Sequence, residues 1–200
     1  MRADRKALAN ELLEASREHD SRQADRLARF RNVEPETAAL LSLLVLATNT
    51  RRVLEIGTSN GYSTLWLADA VEQTGGHLIS VEINPERTAL ARLNLERAAL
   101  SAELRTADAA EVLPTLDPES VDLVFVDAER PAYPAYLPDL KRILPPGGLL
   151  AVDNAISHEH ELVEFSALVA ADDDLLSSLV PIGAGLLLVV RRATAPARHS

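Results

Sequence analysis

Two apolar runs in this chain end on acids. "VDLVFVD" closes on Asp127, and "LLAVDN" closes on Asp153 with Asn154 beside it. If the two runs are neighbouring strands, they bring two carboxylates and an amide oxygen to one edge of a sheet. Those are hard donors suited to Mg²⁺, with water and ligand oxygens filling the rest of the shell. A single acid at a strand end is ordinarily just a solvated terminus. Two on adjacent strands, with an amide next to one of them, favour a metal. Arg130 stands three residues past Asp127.

A second constellation lies earlier. In "VLEIGTSNGYS", Gly57 and Gly61 bracket a turn after an apolar strand, and Glu55 lies on that strand. The dinucleotide signature G-x-G-x-x-G would aim a helix N-terminus at a pyrophosphate. Here the spacing is E-x-G-x-x-x-G, so the loop admits a close ligand, while its acid suits a cationic one without phosphate. The next strand, in "SVEINPER", ends on Glu82. A carboxylate there can accept hydrogen bonds from both hydroxyls of a ribose.

The surrounding pattern supplies the scaffold. From Arg51 onward, short apolar strands alternate with helical segments: "RRVLEIG", "HLISVEI", "AELRTA", "VDLVFVD" and "LLAVDN" are strands. Helices are expected over "YSTLWLADAV", Pro85–Ala99, "YLPDLKRIL" and Glu159–Val169. Strands apolar on both faces and separated by helices build a parallel sheet covered on two sides. The last two strands, "SLVPI" and "LLLVVRR", are joined too tightly across Gly183–Gly185 for a crossover and must form an antiparallel hairpin. The expected fold class is therefore α/β, a doubly wound, seven-stranded, mostly parallel sheet closed by one reversed strand. Ligands bind such sheets beyond the carboxyl ends of the strands.

Two hundred residues suffice for one domain: N-terminal helices over 1–50, an α/β core over 51–192 and a disordered tail over 193–200. With 47% hydrophobic and 25% charged residues the chain reads as globular, not disordered. The absence of cysteine excludes disulfides and thiolate metal sites. A formal charge of −10 argues against a nucleic-acid partner. No signal peptide and no membrane-spanning run is visible, which predicts a cytoplasmic protein.

Taken together, these motifs resemble those of class I S-adenosylmethionine-dependent O-methyltransferases, in the metal-dependent branch that includes catechol and caffeoyl-CoA methyltransferases. The resemblance runs from about Asn32 to Arg192. It covers "VLEIGTSNGYS", "VEINPER", "ADAAEVLP", "VDLVFVDAERPAY", "GGLLAVDN" and "PIGAGLLLVVRR", in that order. It implies a Rossmann-like methyltransferase fold and S-adenosylmethionine as cofactor. Glu82 would hold the ribose, and Asp108 with Ala109 would meet the adenine. Val33, Gly57, Thr58, Gly61 and Ser63 would surround the methionine part, with Glu55 lining the same cleft and Asp127 at its cofactor side. Asp127, Asp153 and Asn154 would hold a divalent ion, Mg²⁺ by preference, ligated in turn by a small catechol-like or phenolic substrate. A homodimer is implied as well.

Arg130 departs from that family, which commonly has a lysine base here, spaced D-x-x-K-x-x-Y. Arginine stays protonated in proteins and cannot take a proton. Either Arg130 steadies a phenolate, leaving the proton to metal-bound water or His158, or it is an exposed loop residue. His158 and His160 otherwise read as solvated residues at a helix start. Trp66 reads as core, and Tyr133 and Tyr136 are candidates for an aromatic wall or for packing. Two other readings compete. A non-catalytic S-adenosylmethionine-binding protein would explain Arg130, while an NAD-dependent oxidoreductase is disfavoured by the missing third glycine and by the hairpin.

Overall fold

The computed structural model of the protein describes residues 1–193. The tail expected from 193 lies, but for its first residue, outside the described residues. Seven strands form one sheet: β1 (Arg52–Ile56), β2 (His77–Glu82), β3 (Glu103–Thr106), β4 (Leu123–Val126), β5 (Leu149–Val152), β6 (Leu175–Val180) and β7 (Leu186–Arg191). Their order is β3-β2-β1-β4-β5-β7-β6. The first five pair in parallel, while β7 runs antiparallel to both β5 and β6. The mostly parallel sheet and the closing hairpin are as expected.

Alternation along β4 shows how the sheet divides its core. Leu123 and Phe125 join one apolar cluster and Val124 and Val126 the other, and all four are fully buried. Helices α1 (Ala3–Arg22), α2 (Pro35–Ala47) and α3 (Tyr62–Thr74) supply the first cluster. Helix α4 (Pro85–Arg97) adds Leu95 to it. The second receives the short α5 (Ala109–Val112), α6 (Tyr133–Ile143) and α7 (Val163–Ala171). Trp66 is core, as expected. No helix among the described residues is long and apolar enough to cross a membrane.

Two helix ends differ from the sequence pattern. Helix α4 stops at Arg97 because Ala99 turns left-handed (φ 50°). The helix expected over Glu159–Val169 is two pieces, a 3-10 turn at Glu159–Glu161 and then α7. Between them Leu162 leaves helical backbone (φ −105°, ψ 2°) while its side chain is buried in the second cluster.

The strand order reverses on either side of β1, so a crevice opens beyond the carboxyl ends of β1 and β4. The hairpin reaches back to that edge. The amide of Ala155 donates to the Gly185 carbonyl, and those of Ile156 and Ser157 donate to that of Ala184. A Cβ on Gly185 would lie 2.5 Å from the Ile156 amide nitrogen, so only glycine permits this contact.

Candidate active site

A cleft of about 260 Å³ occupies the crevice, and four loops at strand ends form its floor. A strap of chain between α1 and α2, including Arg31 and Val33, forms one wall. Gly57, Thr58, Ser63, Glu82, Asp127, Arg130, Asp153, Asn154 and His158 all border the same space, so most of the expected site converges.

The loop after β1 is shaped by Gly57. Its backbone is left-handed (φ 103°), and a Cβ there would sit 2.1 Å from the Asp127 carbonyl oxygen. No other residue fits that crossing. The Gly57 amide donates to the Val81 carbonyl at 2.9 Å, which ties this loop to β2. Glu82 accepts from the amides of Ser59 (2.8 Å) and Asn84 (3.0 Å), which aims its carboxylate along the cleft margin.

Glu55 does not line the cleft, contrary to expectation. It precedes the last residue of β1 and shares a face with Val53, toward the α3 side of the sheet. There it is fully buried and accepts from the hydroxyls of Ser63 (2.5 Å), Thr64 (2.6 Å) and Ser80 (2.6 Å). Burial raises its pKa to about 7, with the three hydroxyls pulling the other way. Glu55 therefore reaches the cleft through Ser63, which borders it, and through Ser80 and the bordering Thr58. Gly61 also lies off the cleft, against α4, where a Cβ would meet Ala91 at 3.1 Å. Asp108 caps α5 by accepting from the Ala110 amide at 2.8 Å, and Ala109 is buried. Both sit outside the cleft's described lining.

At the other side, Asp127 and Asp153 follow β4 and β5 directly. The Asp127 amide extends the ladder to the Ile56 carbonyl, and the Asp153 amide extends it to that of Val126. One amide group bridges the two acids: Asn154 Nδ2 donates to Asp127 Oδ1 at 3.0 Å and to Asp153 Oδ2 at 3.1 Å. Asn154 itself takes left-handed backbone (φ 65°), a conformation asparagine tolerates better than most residues. Asp153 Oδ1 is buried with no hydrogen-bond partner. Burial pushes both carboxyls above their ordinary range, and for Asp127 the neighbouring Asp153 adds to it.

Such a pair fits a cation. Two acids held in a buried site repel each other, and one oxygen has nothing to accept from. Turning the Asn154 amide over would present its oxygen to the same place, giving three hard donors. Among the described residues no group of three or more His, Asp or Glu side chains is gathered for a metal, so the amide is needed to make up the set.

Arg130 is not an exposed loop residue. It is only 2% exposed, in a 3-10 turn (Arg130–Ala132) carrying Pro131 that leads into α6. Its Nε donates to Glu161 Oε2 at 2.7 Å, while its Nη2 is buried without a partner. His158 borders the cleft and is half-buried, not fully solvated. Burial, followed by the charge of Arg130, pushes its pKa below the ordinary histidine value. Tyr133 belongs to the core, its hydroxyl donating to the Ala128 carbonyl and accepting from the Ala128 amide.

Four residues at the site, Arg26, Arg31, Glu129 and Glu161, carry no signal of their own in the sequence. Arg31 adopts left-handed backbone (φ 53°) and pairs with Glu129 at 2.7 Å. Arg26 lies 3.6 Å from Glu161, the same acid that holds Arg130. The strap is thus latched across the cleft by ion pairs between residues far apart in the chain.

The O-methyltransferase family model matches residues 3–192. The catechol O-methyltransferase of Niastella koreensis is 37% identical over 130 residues, 62% of this chain and 58% of that enzyme's length. The O-methyltransferase TomG of Streptomyces achromogenes, solved with S-adenosylmethionine, superposes with a TM-score of 0.79 at 28% identity, over 93% of this chain and 90% of that one. The O-methyltransferase of Bacillus cereus, solved with S-adenosylhomocysteine, gives 0.77 at 26% identity, over 93% and 91%. With the sheet order, the reversed last strand and a match over nearly the whole described length, the chain belongs to the O-methyltransferase family.

Proposed function

We propose that this enzyme transfers the methyl group of S-adenosylmethionine to a hydroxyl of a small catechol-like or phenolic substrate, assisted by a divalent cation. The observation that carries the reading is the pair of half-buried Asp127 and buried Asp153, bridged by Asn154, with one Asp153 oxygen unpartnered at the wall of the glycine-loop cleft. Relatives solved with S-adenosylmethionine or S-adenosylhomocysteine support the cofactor, and the Niastella enzyme's name supports the substrate class.

Each residue then has a task. Glu82 accepts from the ribose hydroxyls on lone pairs left free by Ser59 and Asn84. Gly57 lets the methionine part lie on bare backbone, with Thr58 and Ser63 beside it and Val33 closing from the strap. Asp108 and Ala109 lie at the adenine end. Asp127, Asp153 and the Asn154 oxygen hold the cation, Mg²⁺ by donor type. Bound there, the cation would stabilise a substrate oxyanion as a Lewis acid.

Arg130 contributes positive potential and no proton transfer, because a guanidinium does not deprotonate. His158 has its pKa lowered by burial and by Arg130; in the tautomer whose Nδ1–H donates to Ser157 Oγ, at 2.8 Å, its Nε2 takes the hydroxyl proton. Orientation supplies much of the remaining acceleration. We propose further that the enzyme is a homodimer, since α2 exposes Leu43 and Leu46; sedimentation showing monomer at micromolar concentration would refute that.

The central test is turnover on a panel of catechols and phenols with Mg²⁺ and after thorough chelation. Activity should vanish on chelation while S-adenosylhomocysteine still binds. Full activity in chelated protein would sink the metal-assisted reading.

A further inference from the structure

The largest fully buried side chain among the described residues is a cation, Arg130, bordering the same cleft as two acids proposed to bind another cation. A buried guanidinium takes a carboxylate partner, because an unpaired buried charge is strongly destabilising. Asp127 and Asp153 both feel the charge of Arg130, which lowers the pKa of each against the rise caused by burial. Yet among the described residues the ion pair Arg130 makes is with Glu161, at 2.7 Å, and not with either aspartate. Glu161 is kept ionised chiefly by its hydrogen bond from Arg130. Its other oxygen faces Arg26 of the strap at 3.6 Å. The competing cation from the strap, Arg31, is paired with Glu129.

We propose that Glu161 is a positioning residue for the metal site: by holding the Arg130 guanidinium, it keeps that charge from pairing with Asp127 and Asp153 and leaves both free for a divalent cation. The inference rests on the metal-assisted reading above. It also gives a physical reason why a permanent cation is tolerated where a lysine would be able to discharge. Besides Glu161, the Arg130 charge acts on Asp127, Asp153 and Glu129, and Glu129 is already paired with Arg31, which leaves the two metal-binding acids to neutralise Arg130 if Glu161 is lost.

The test is Mn²⁺ binding to the full chain by calorimetry at neutral pH, with S-adenosylhomocysteine binding measured on each variant as a check of folding. Glu161→Gln should weaken Mn²⁺ binding roughly 10–100-fold, the usual scale for residues that support metal ligands. Glu159→Gln removes the same charge from an exposed neighbour and should stay within about twofold of the parent, because exposed charges are screened. Arg130→Met with Glu161→Gln should recover most of the lost affinity. Unchanged affinity in Glu161→Gln, an equal loss in Glu159→Gln, or no recovery in the double variant would each overturn the proposal. Should Glu161→Gln fail to fold, Arg130→Met alone is compared with the double variant. Equal affinity in those two supports the proposal, and a further loss in the double overturns it. A parent protein that binds S-adenosylhomocysteine but no Mn²⁺ refutes the metal reading itself, a result distinct from all of these.

Discussion

The acids on the two sides of the cleft are treated in opposite ways. On the β1–β2 side, Glu55 accepts three hydroxyl hydrogen bonds and Glu82 two backbone ones, so their carboxylates are largely satisfied by the protein. On the β4–β5 side, Asp127 and Asp153 share one amide group, and an oxygen is left bare. The first side is a finished cradle that holds its shape without a ligand. The second is electrostatically incomplete, and what would complete it is positive charge. A buried polar group costs free energy unless paired, so the difference marks where the fold gives up stability to keep a site open.

The contrast can be broken most severely on the open side. Asp153→Ala should behave like chelation and reduce turnover by more than about a hundredfold, on the order of 3 kcal/mol of barrier. S-adenosylhomocysteine affinity, measured in parallel, should change little. Equal loss of cofactor binding would mean that the two sides are not separable. Gly57→Ala should damage both at once, since its Cβ would be driven into the Asp127 carbonyl. A loss of several kcal/mol in a denaturant melt is expected, as for other clashes forced at a special backbone position.

A third prediction uses pH. The Glu55 pKa is about 7 in the folded protein, above its ordinary 4.5. Between those values the native state binds more protons than the unfolded state, so this group's contribution to stability falls as pH rises. Glu55→Gln cannot titrate, and its stability relative to the parent should therefore rise from pH 5 to pH 8, by at most roughly 3 kcal/mol. A constant difference between the two proteins across that window would show that Glu55 is ionised throughout. Glu82→Ala should weaken S-adenosylhomocysteine by about 1–3 kcal/mol, the range for a hydrogen bond to a charged group, with metal affinity unchanged. Smallest of all, Arg130→Lys should keep or modestly raise activity. It should also introduce a basic limb in the pH–rate profile, since a partly desolvated lysine can lose its proton. A profile identical to the parent's would place residue 130 outside the proton's path.

The two sides also differed in how well the sequence disclosed them. Glu82, Asp127 and Asp153 sit at or just past the last residue of a strand, where an acid interrupting an apolar run is visible in one dimension. Glu55 looks similar in the sequence but lies one residue short of the end of β1, so the alternation of the strand turns it toward α3 instead of the cleft. Gly61 lies off the cleft for another reason: it caps the start of α3 and backs onto Ala91 of α4, a contact the sequence does not display. Arg130 is the least legible, because its buried charge is paired with Glu161, 31 positions away, on a turn that the hydrophobic pattern does not separate from the following helix. The mostly parallel sheet and its reversed final strand follow from local rules of connection. Ion pairs between distant loops follow no such rule.

The hairpin of β6 and β7 has a consequence beyond closing the sheet. Its turn receives the amides of Ala155, Ile156 and Ser157, the segment that continues from Asn154 toward His158 and Glu161. The glycine loop and Glu82 rest on β1 and β2 and, through the Asp127 carbonyl that Gly57 crosses, on β4, all earlier in the chain than the hairpin. The turn that anchors residues 155–157 is therefore among the last parts of the described chain to be made. The segment from Asn154 to His158 is thus held by contacts that exist only once the sheet has closed at its far edge.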